Sequence, residues 1–364
     1  MSTSVTKPLL IELFTEELPP KSLSKLGEAF ALSIWQELAF ADLVPNISTY
    51  TYFATPRRLA VRVDKVYAKA SLKQIKDKLM PVTVAKAADG GATPALRKKL
   101  ATVGLDNLVE GPLNFPISHE ENGRRVTLVV ESDGKVDCVY LVGQADGATI
   151  EAGVQQAISR ALAKLPIPKV MVYQLADGKT DVSFVRPAHG LVVLHGDDVV
   201  AATALGLVSS RITHGHRFQG ANNIELDTAS RYEELLRQYG KVEPVFATRR
   251  DMILSQLEAK AVSLGASLGA PASYADLLDE VNSLVEWPTV YVCQFEPEFL
   301  AVPQECLILT MKTNQKYFPL FDSAGKLKNQ FLIVSNMELA DPKKIVEGNE
   351  RVVRPRLADA RFFF

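Results

Sequence analysis

The spacing of the apolar residues constrains the fold of this chain more than any other feature, because it alternates between strand and helix periods. Residues 9–14 form a short apolar run with one acid, Glu12, inside it, which is typical of a strand. After Pro19 and Pro20, apolar residues recur at helical intervals, at Leu23, Leu26, Phe30, Ile34 and Leu38. Two more strands are predicted at 50–53 and 59–66, so the chain opens as strand, helix, strand, strand.

Turn residues between later apolar runs predict three hairpins. Asp133-Gly134 separates the runs 126–130 and 136–142, and Gly196-Asp197 separates 191–194 from 199–203. Residues 323–325 separate 317–321 from 330–334. Helices are predicted at 94–103, 150–165, 228–239, 247–264 and 273–284, the last with a capping box formed by Ser273 and Asp276. Together these patterns predict an α+β fold with several domains, in which mixed or antiparallel sheets carry packed helices.

The length of 364 residues is typical of two or three domains. We expect an N-terminal α+β domain over 1–168, with a small inserted module at about 68–116. A second α+β domain is expected over 169–340, and residues 341–364 would begin a linker to a further half. Three consecutive aromatic residues at the end of the chain are atypical of a protein terminus, which suggests a piece of a longer protein.

The composition narrows the classes of function. The chain has 41 Lys and Arg residues and 42 Asp and Glu residues, which gives a formal net charge of -1. Binding to a polyanion must therefore come from local patches of positive charge. The three cysteines lie far apart without a CxxC pair, which argues against a zinc ribbon or a disulfide framework. No signal peptide or membrane span is predicted, and we expect a cytoplasmic protein.

The first candidate site is Arg57-Arg58, which follows Pro56 at a predicted bend. Proline fixes its own backbone angle, and arginine forks suit phosphate groups. These two arginines are therefore candidates for RNA contact. The alternative is a solvated surface pair with local salt bridges.

The second candidate is the segment that contains His214, His216, Arg217 and Phe218. Cations, imidazoles and an aromatic ring suit phosphate contact together with base stacking. The histidines could instead bind a metal, but no cysteine or carboxylate lies nearby in the sequence to complete its shell. A structural turn with buried, hydrogen-bonded histidine is the other alternative.

Two further segments combine cations with other RNA-binding residue types. Lys312, Gln315 and Lys316 precede the aromatic pair at 317–318, which suits either a nucleic-acid-facing edge or the core of a strand. The basic segment 341–361 includes Arg351 and Arg354, and it could be a linker helix or a phosphate-contacting arm. The residues alone do not separate these alternatives.

Acidic residues give a hydrolase alternative. Asp279, Glu280 and Glu286 could supply a general base, but the apolar stripe of the same segment predicts that these acids lie on a solvated face. The sequence contains no GxxxxGK[ST] loop, no GxGxxG fingerprint after a strand, no GxSxG elbow and no HExxH pair. It therefore predicts no recognisable ATP-binding loop in this chain.

Seven segments together resemble the beta subunit of bacterial glycyl-tRNA synthetase. They are LIELFTEELPP at 10–20, FATPRRLA at 53–60, FVRP at 184–187, THGHRF at 213–218, LLDEVNSLVEWP at 277–288, QKYF at 315–318 and GNERVVRPRLADA at 348–360. Each segment is a weak signal, but their joint order and spacing are specific. The resemblance covers nearly the whole chain and implies the front part of a longer beta subunit.

This resemblance implies a tRNA-binding, noncatalytic subunit of an ATP-dependent glycine-tRNA ligase. Glycine and ATP, with magnesium, would bind at the active site of an alpha subunit, within an α2β2 heterotetramer that acts on tRNA(Gly). This chain would hold no catalytic residue, metal or cofactor of its own. The predicted tRNA-contacting residues are Arg57, Arg58, His214, His216, Arg217, Lys312, Gln315, Lys316, Arg351 and Arg354.

Two alternative functions stay open at this point. An editing-type hydrolase of mischarged tRNA would use Asp279, Glu280 or His214 to activate water. A pure assembly scaffold would touch only protein. The sequence does not indicate which part of tRNA is contacted, which surface meets the alpha subunit, or whether this part binds tRNA without the other half.

Overall fold

A computed structural model describes residues 5–121 and 123–363. In order along the chain, the elements up to residue 164 are β1 (Thr6–Thr15), α1 (Leu23–Phe40), β2 (Tyr50–Thr55), β3 (Arg58–Tyr67), β4 (Lys73–Pro81), α2 (Val82–Ala85), α3 (Pro94–Ala101), β5 (Ile117–Glu121), β6 (Arg124–Ser132), β7 (Asp137–Ala145) and α4 (Ile150–Lys164). They are followed by β8 (Met171–Gln174), β9 (Asp181–Phe184), β10 (Ala188–His195), β11 (Asp198–Val199), β12 (Thr203–Ala204), β13 (Leu207–Val208), β14 (Ile212–Thr213) and β15 (Ile224–Glu225). The remaining elements are α5 (Tyr232–Gln238), α6 (Phe246–Ser263), α7 (Ala275–Asn282), β16 (Thr289–Gln294), α8 (Gln304–Leu309), β17 (Phe318–Phe321), β18 (Leu327–Ser335) and α9 (Lys343–Phe363).

The elements confirm the predicted α+β class, since helices accompany several antiparallel sheets. The three predicted hairpins are present as β6–β7, β10–β11 and β17–β18. None of the helices in the described part of the chain is long and apolar enough to cross a membrane.

Contacts divide the chain into two compact units whose bounds differ from the predicted domains. The inserted unit comprises residues 39–44 and 67–153, and the larger unit comprises the remainder. The expected boundary at 168/169 is not observed, because β10 pairs with β1 across it. The inserted unit also continues beyond residue 116, because β6 and β7 complete the sheet that β4 and β5 belong to.

The larger unit is built around a five-stranded sheet with the order β11-β10-β1-β3-β2. In the antiparallel pair of β1 and β10, Glu12 lies opposite Val192. β2 and β3 form an antiparallel hairpin whose last pair is Thr55 with Arg58, so Pro56 and Arg57 make the turn. The predicted apolar stripe of α1 is buried, which places this helix against the core.

A second sheet of the larger unit has the order β16-β18-β17 and shares a core with α6 and α7. The capping box predicted for α7 is wrong. The helix begins at Ala275 with Tyr274 as the N-cap, without a side-chain cap hydrogen bond. Ser273 instead belongs to a preceding 3-10 turn, where its amide donates to the carbonyl of Ala270.

The inserted unit is a four-stranded antiparallel sheet with the order β4-β7-β6-β5. The short helices α2 and α3 share a core with this sheet. Leu96 and Leu100, one helical turn apart on α3, are fully buried in that core together with Leu128 and Leu141. The apolar spacing of α3 therefore fixes the helix to the sheet and leaves its other face in solvent.

The buried stripe of α1 predicts a large difference between two leucines of the same helix. Leu26 is 0% exposed and Leu32 is 42% exposed. Leu26→Ala removes fully packed methyl groups and is expected to lower the free energy of unfolding by about 2–5 kcal/mol. Leu32→Ala is the matched control, expected to change it by about 0.5 kcal/mol or less. Urea denaturation followed by circular dichroism measures both, and equal losses would contradict the observed packing of α1.

Candidate functional site

Several of the segments that carry the family resemblance meet at the end of β1. The amide of Thr15 donates to the carbonyl of Arg57 at 2.8 Å, and the amide of Glu16 donates to the carbonyl of Pro187 at 2.9 Å. The strand end, the arginine turn and the FVRP segment are thus joined through their backbones.

Arg58 lies at the centre of this meeting point and is completely buried. Its Nη2 donates to the carbonyl of His214 at 2.7 Å. Its guanidinium also lies 3.6 Å from a carboxylate oxygen of Glu12 and 3.7 Å from one of Glu286, which are ion-pair rather than hydrogen-bond distances. Burial works to lower the pKa of Arg58, but its polar neighbours, Glu12 first among them, hold that pKa above its ordinary value.

Glu12 has partners on both carboxylate oxygens, although it is only 1% exposed. The hydroxyl of Thr213 donates to Oε1 at 2.5 Å, and the phenol of Tyr232 donates to Oε2. Burial raises the pKa of Tyr232 well above its ordinary value, and the charge of Glu12 adds to this shift. The phenol therefore keeps its proton and continues to donate to Glu12.

Arg57 is also directed inward. Its Nη2 donates to Oε2 of Glu286 at 3.0 Å and to the carbonyl of Gly215 at 2.9 Å. The guanidinium carbons of Arg57 and Arg58 lie 5.1 and 5.5 Å from the ring centre of Phe14, within cation–π range. We call Glu12, Arg57, Arg58 and Glu286 the buried ion cluster.

The burial of these residues bears on three expectations from the sequence. Arg57 and Arg58 direct their donors to protein carbonyls and carboxylates, so direct contact of these arginines with RNA phosphate is not supported by the structure. The alternative of a solvated surface pair does not hold either. The prediction that Glu286 lies on a solvated face is wrong as well. This residue is 2% exposed and accepts a hydrogen bond from Thr55 at 3.2 Å.

The two histidines of the second candidate segment have structural partners. His216 is buried, and its Nδ1 accepts hydrogen bonds from the amides of Phe218 and Gln219, both at 3.2 Å. The alternative of a turn with a buried, hydrogen-bonded histidine is therefore confirmed for His216, and RNA contact by this residue is not supported. His214 is half-buried, with its Nδ1 2.5 Å from the carbonyl of Asn222.

The loop 214–221 is held by direct contact between backbones. The amide of His216 donates to the carbonyl of Gly240 at 2.7 Å. A Cβ atom on Gly220 would lie 2.1 Å from the carbonyl oxygen of Gly240 and 2.5 Å from the amide of His216. Only glycine leaves enough space for this approach, so the loop conformation is tightly determined.

The outer side of this loop carries Arg217 and Phe218. Arg217 is about half exposed and forms ion pairs of 3.2 Å with Glu16 and Glu17, while Phe218 is 73% exposed. Partial burial works to raise the pKa of Glu16, but the hydrogen bond from His189 and nearby positive charge hold it below its ordinary value. Because exposed ion pairs are weak, Arg217 can exchange its carboxylates for another anion.

The aromatic and the basic residues of the third candidate segment have different environments. Tyr317 and Phe318 are buried, so the core alternative is confirmed for them. Lys312 donates to the carbonyl of Ser273 at 2.7 Å, and Lys316 lies 3.0 Å from a carboxylate oxygen of Glu280. Burial lowers the pKa of Lys312.

The remaining predicted residues lie closer to solvent. Gln315 is half-buried, and Arg351 and Arg354 lie on the exposed side of α9. The segment is helical in the structure, while its role as a linker or as a phosphate-contacting arm stays a prediction. Arg354 pairs with Glu296 at 2.6 Å, and no ion pair is formed by Arg351 with a described residue.

The acids of the hydrolase alternative are engaged by cations. Asp279 accepts from Arg250 at 2.5 Å, and Glu280 is paired with Lys316. Within the described residues, no group of three or more histidine, cysteine or acidic side chains could hold a metal ion.

The sequence analysis did not identify Arg249, a second fully buried cation. Its three donor nitrogens contact the carbonyls of Ala54, Glu243 and Asn282 at 2.7–3.2 Å. Burial lowers the pKa of Arg249 to about 10, which keeps it charged at neutral pH. The sequence did contain a signal for the burial of Arg249. This residue lies three residues after Phe246 and four before Ile253, within the apolar stripe of α6.

The buried ion cluster generates a prediction on stability. Arg58→Met leaves Glu12 without its cation in the interior, and we expect a loss of about 3–5 kcal/mol in the free energy of unfolding. Arg231→Met is the control, because its ion pairs with Asp227 and Glu234 are exposed and should contribute little to stability. Denaturant midpoints of both variants measure the difference, and a mild effect of Arg58→Met would argue that the cluster is solvated.

The glycine contact in loop 214–221 generates a second prediction. Gly220→Ala should displace the loop, since the new methyl group meets the backbone of Gly240, and it should therefore lower the melting temperature. Gly348→Ala is the control, because nothing lies within 4 Å of a Cβ there and alanine favours helix α9. Thermal unfolding distinguishes them, and an unchanged Gly220→Ala protein would show that the loop is loosely held.

Comparison with known proteins places this arrangement in a family. The family model described as glycyl-tRNA synthetase beta subunit matches residues 9–364. The chain is 56% identical over 357 residues to the glycine–tRNA ligase beta subunit of Leptothrix cholodnii, covering 98% of this chain and 48% of that protein. It is 53% identical over 363 residues to the protein of the same name from Dechloromonas aromatica, covering 99% and 49%.

The chain thus spans about half the length of the curated relatives it matches. The family model covers nearly all of its residues, including every segment of the buried ion cluster. The chain belongs to the glycyl-tRNA synthetase beta subunit family.

Proposed function

We propose that this chain is a tRNA-handling, noncatalytic part of a glycine-tRNA ligase. The observation that carries the proposal is the family match over residues 9–364. Glycine, ATP and magnesium would be bound by an alpha subunit, and the complex would be an α2β2 heterotetramer that charges tRNA(Gly) in the cytoplasm. This chain would contribute RNA contacts and the rigid framework that holds them.

The geometry supports a holding role more than a chemical one. Glu12 and Glu286 are buried and already accept from hydroxyl or guanidinium groups, so neither is available to take a proton from a substrate. Asp279 and Glu280 are each paired with a cation. No specific contact favours an editing hydrolase, which becomes an outcome of the test below.

The cations that remain suitable for RNA contact in the larger unit are the exposed ones. Arg217 extends from the rigid loop 214–221, and Arg351 and Arg354 extend from α9. Arg217 and Arg354 form only weak, exposed ion pairs, and Arg351 forms none with a described residue, so all three arginines are able to bind phosphate. Lys312, Gln315, Lys316 and His214 stay secondary candidates, because they are half-buried.

The proposal is tested by separating activation of glycine from binding of tRNA. The chain alone should show no glycine-dependent exchange of pyrophosphate into ATP and no deacylation of mischarged tRNA, while the alpha subunit carries out the exchange. The chain should bind tRNA with an affinity that falls steeply as KCl rises, because phosphate contacts release counterions. Exchange or deacylation by this chain, or no binding of tRNA to it at low salt, would contradict the proposal.

A further inference from the structure

The cations of the inserted unit fall into two groups. Most of them have a partner: Lys69 pairs with Asp146, Lys73 with Asp42, Lys76 with Glu131, Lys78 with Asp133 and Arg125 with Glu120, while Lys86 and Arg124 donate to the carbonyls of Leu113 and Val103. Lys135, which stands alone in the turn between β6 and β7, has no side-chain partner among the described residues. Arg97, Lys98 and Lys99 also lack one: no hydrogen bond, ion pair or ring contact joins any of these three side chains to a described residue.

These three residues are consecutive on α3 and all exposed. Successive positions on a helix are about 100° apart, so the three side chains spread over about 200° of its solvent side. The stretch from residue 90 to residue 105 contains no Asp or Glu. The result is a concentrated positive surface on a chain whose formal net charge is only -1.

The helix that carries this surface is firmly placed. Its N-cap is Thr93, whose side-chain oxygen accepts from the amide of Leu96, and Pro94 occupies the first turn. Leu96 and Leu100 anchor the opposite face in the core of the inserted unit. A capped and packed helix with three cations that have no partner among the described residues is already arranged for a polyanion, because binding orders only side chains.

The position of these cations near the end of α3 explains part of their clustering on this helix. Lys98 and Lys99 lie in the last turn, where positive charge interacts favourably with the helix dipole. That effect does not account for Arg97, nor for the absence of Asp and Glu from the sequence between residues 90 and 105. The interaction with the helix dipole also does not require that all three side chains lack a partner among the described residues. Most other cations of the inserted unit have one.

We propose that Arg97, Lys98 and Lys99 form a phosphate-binding surface for the backbone of tRNA. The inference rests on the proposed function and adds to it a contact surface in the inserted unit, separate from the arginine turn. Arginine and lysine at consecutive exposed positions suit phosphate oxygens and do not discriminate bases. The surface therefore contributes affinity that is similar for different tRNAs.

The test compares two variants of the chain with equal loss of charge. Arg97→Gln/Lys98→Gln/Lys99→Gln removes the surface while keeping good helix-forming residues. Lys135→Gln/Lys169→Gln/Lys179→Gln is the matched control, since these lysines are exposed, scattered and unpaired among the described residues. Binding of a tRNA(Gly) transcript and of a second tRNA is measured between about 50 and 200 mM KCl. Over this range, affinity that depends on phosphate contacts falls steeply with salt.

The α3 variant should weaken binding of both tRNAs to the same extent and reduce the slope of log K against log salt by about 2–3. The control should change the slope by less than about 1. Lys98→Arg/Lys99→Arg, which keeps the charge, should bind like the unmodified chain, and equal thermal unfolding shows that the fold is retained.

Three results would overturn the inference while leaving the proposed function intact. The α3 variant could bind tRNA as the control does, or it could lose affinity for only one of the two tRNAs. It could also bind tRNA normally but fail to co-purify with the alpha subunit, which would identify a protein-binding surface. Absence of tRNA binding by the unmodified chain would instead refute the proposed function together with this inference.

Discussion

The burial of Arg58 is the constraint on which the central part of the larger unit depends. A guanidinium with no exposed surface is unfavourable unless carboxylates and carbonyls surround it. Here Glu12 comes from the middle of β1 and Glu286 from the segment after α7, while the carbonyl of His214 supplies the hydrogen bond. Segments far apart in sequence must therefore meet correctly before the charge is balanced. We infer that this cluster specifies one arrangement more than it adds stability.

The same cluster determines how the exposed residues are presented. Arg57 and Arg58 bind the carbonyls of Gly215 and His214, which fixes the start of loop 214–221 from the inside. Glycine contacts fix its far side. Arg217 and Phe218 then extend outward from a base that has little freedom to move. The interior arginines thus position the loop whose outer residues are accessible.

The local patterns predicted the elements well and the site less well. The stripe of α1 and the hairpin turns were sufficient to place their elements, since each depends on residues close in sequence. The burial of Arg57 depends on Glu286, 229 positions away, and no local pattern encodes that contact. Two signals nevertheless existed. Glu12 inside an apolar strand and Arg249 inside an apolar helical stripe both occupy positions where a charge is tolerated only if it is paired or hydrogen-bonded.

The arginine and lysine residues of this chain include two groups with different structural requirements. A charged residue that balances the interior must meet an exact partner, so its position and its neighbours are tightly specified. A cation that contacts phosphate needs only exposure, a firm support and no competing acid. Arg58 fulfils the first set of requirements, and Arg97, Lys98 and Lys99 fulfil the second. The arginine-rich motif at residues 57–58 therefore belongs to the interior architecture of this chain, whereas the proposed RNA-binding surface is marked by cations that have no partner among the described residues.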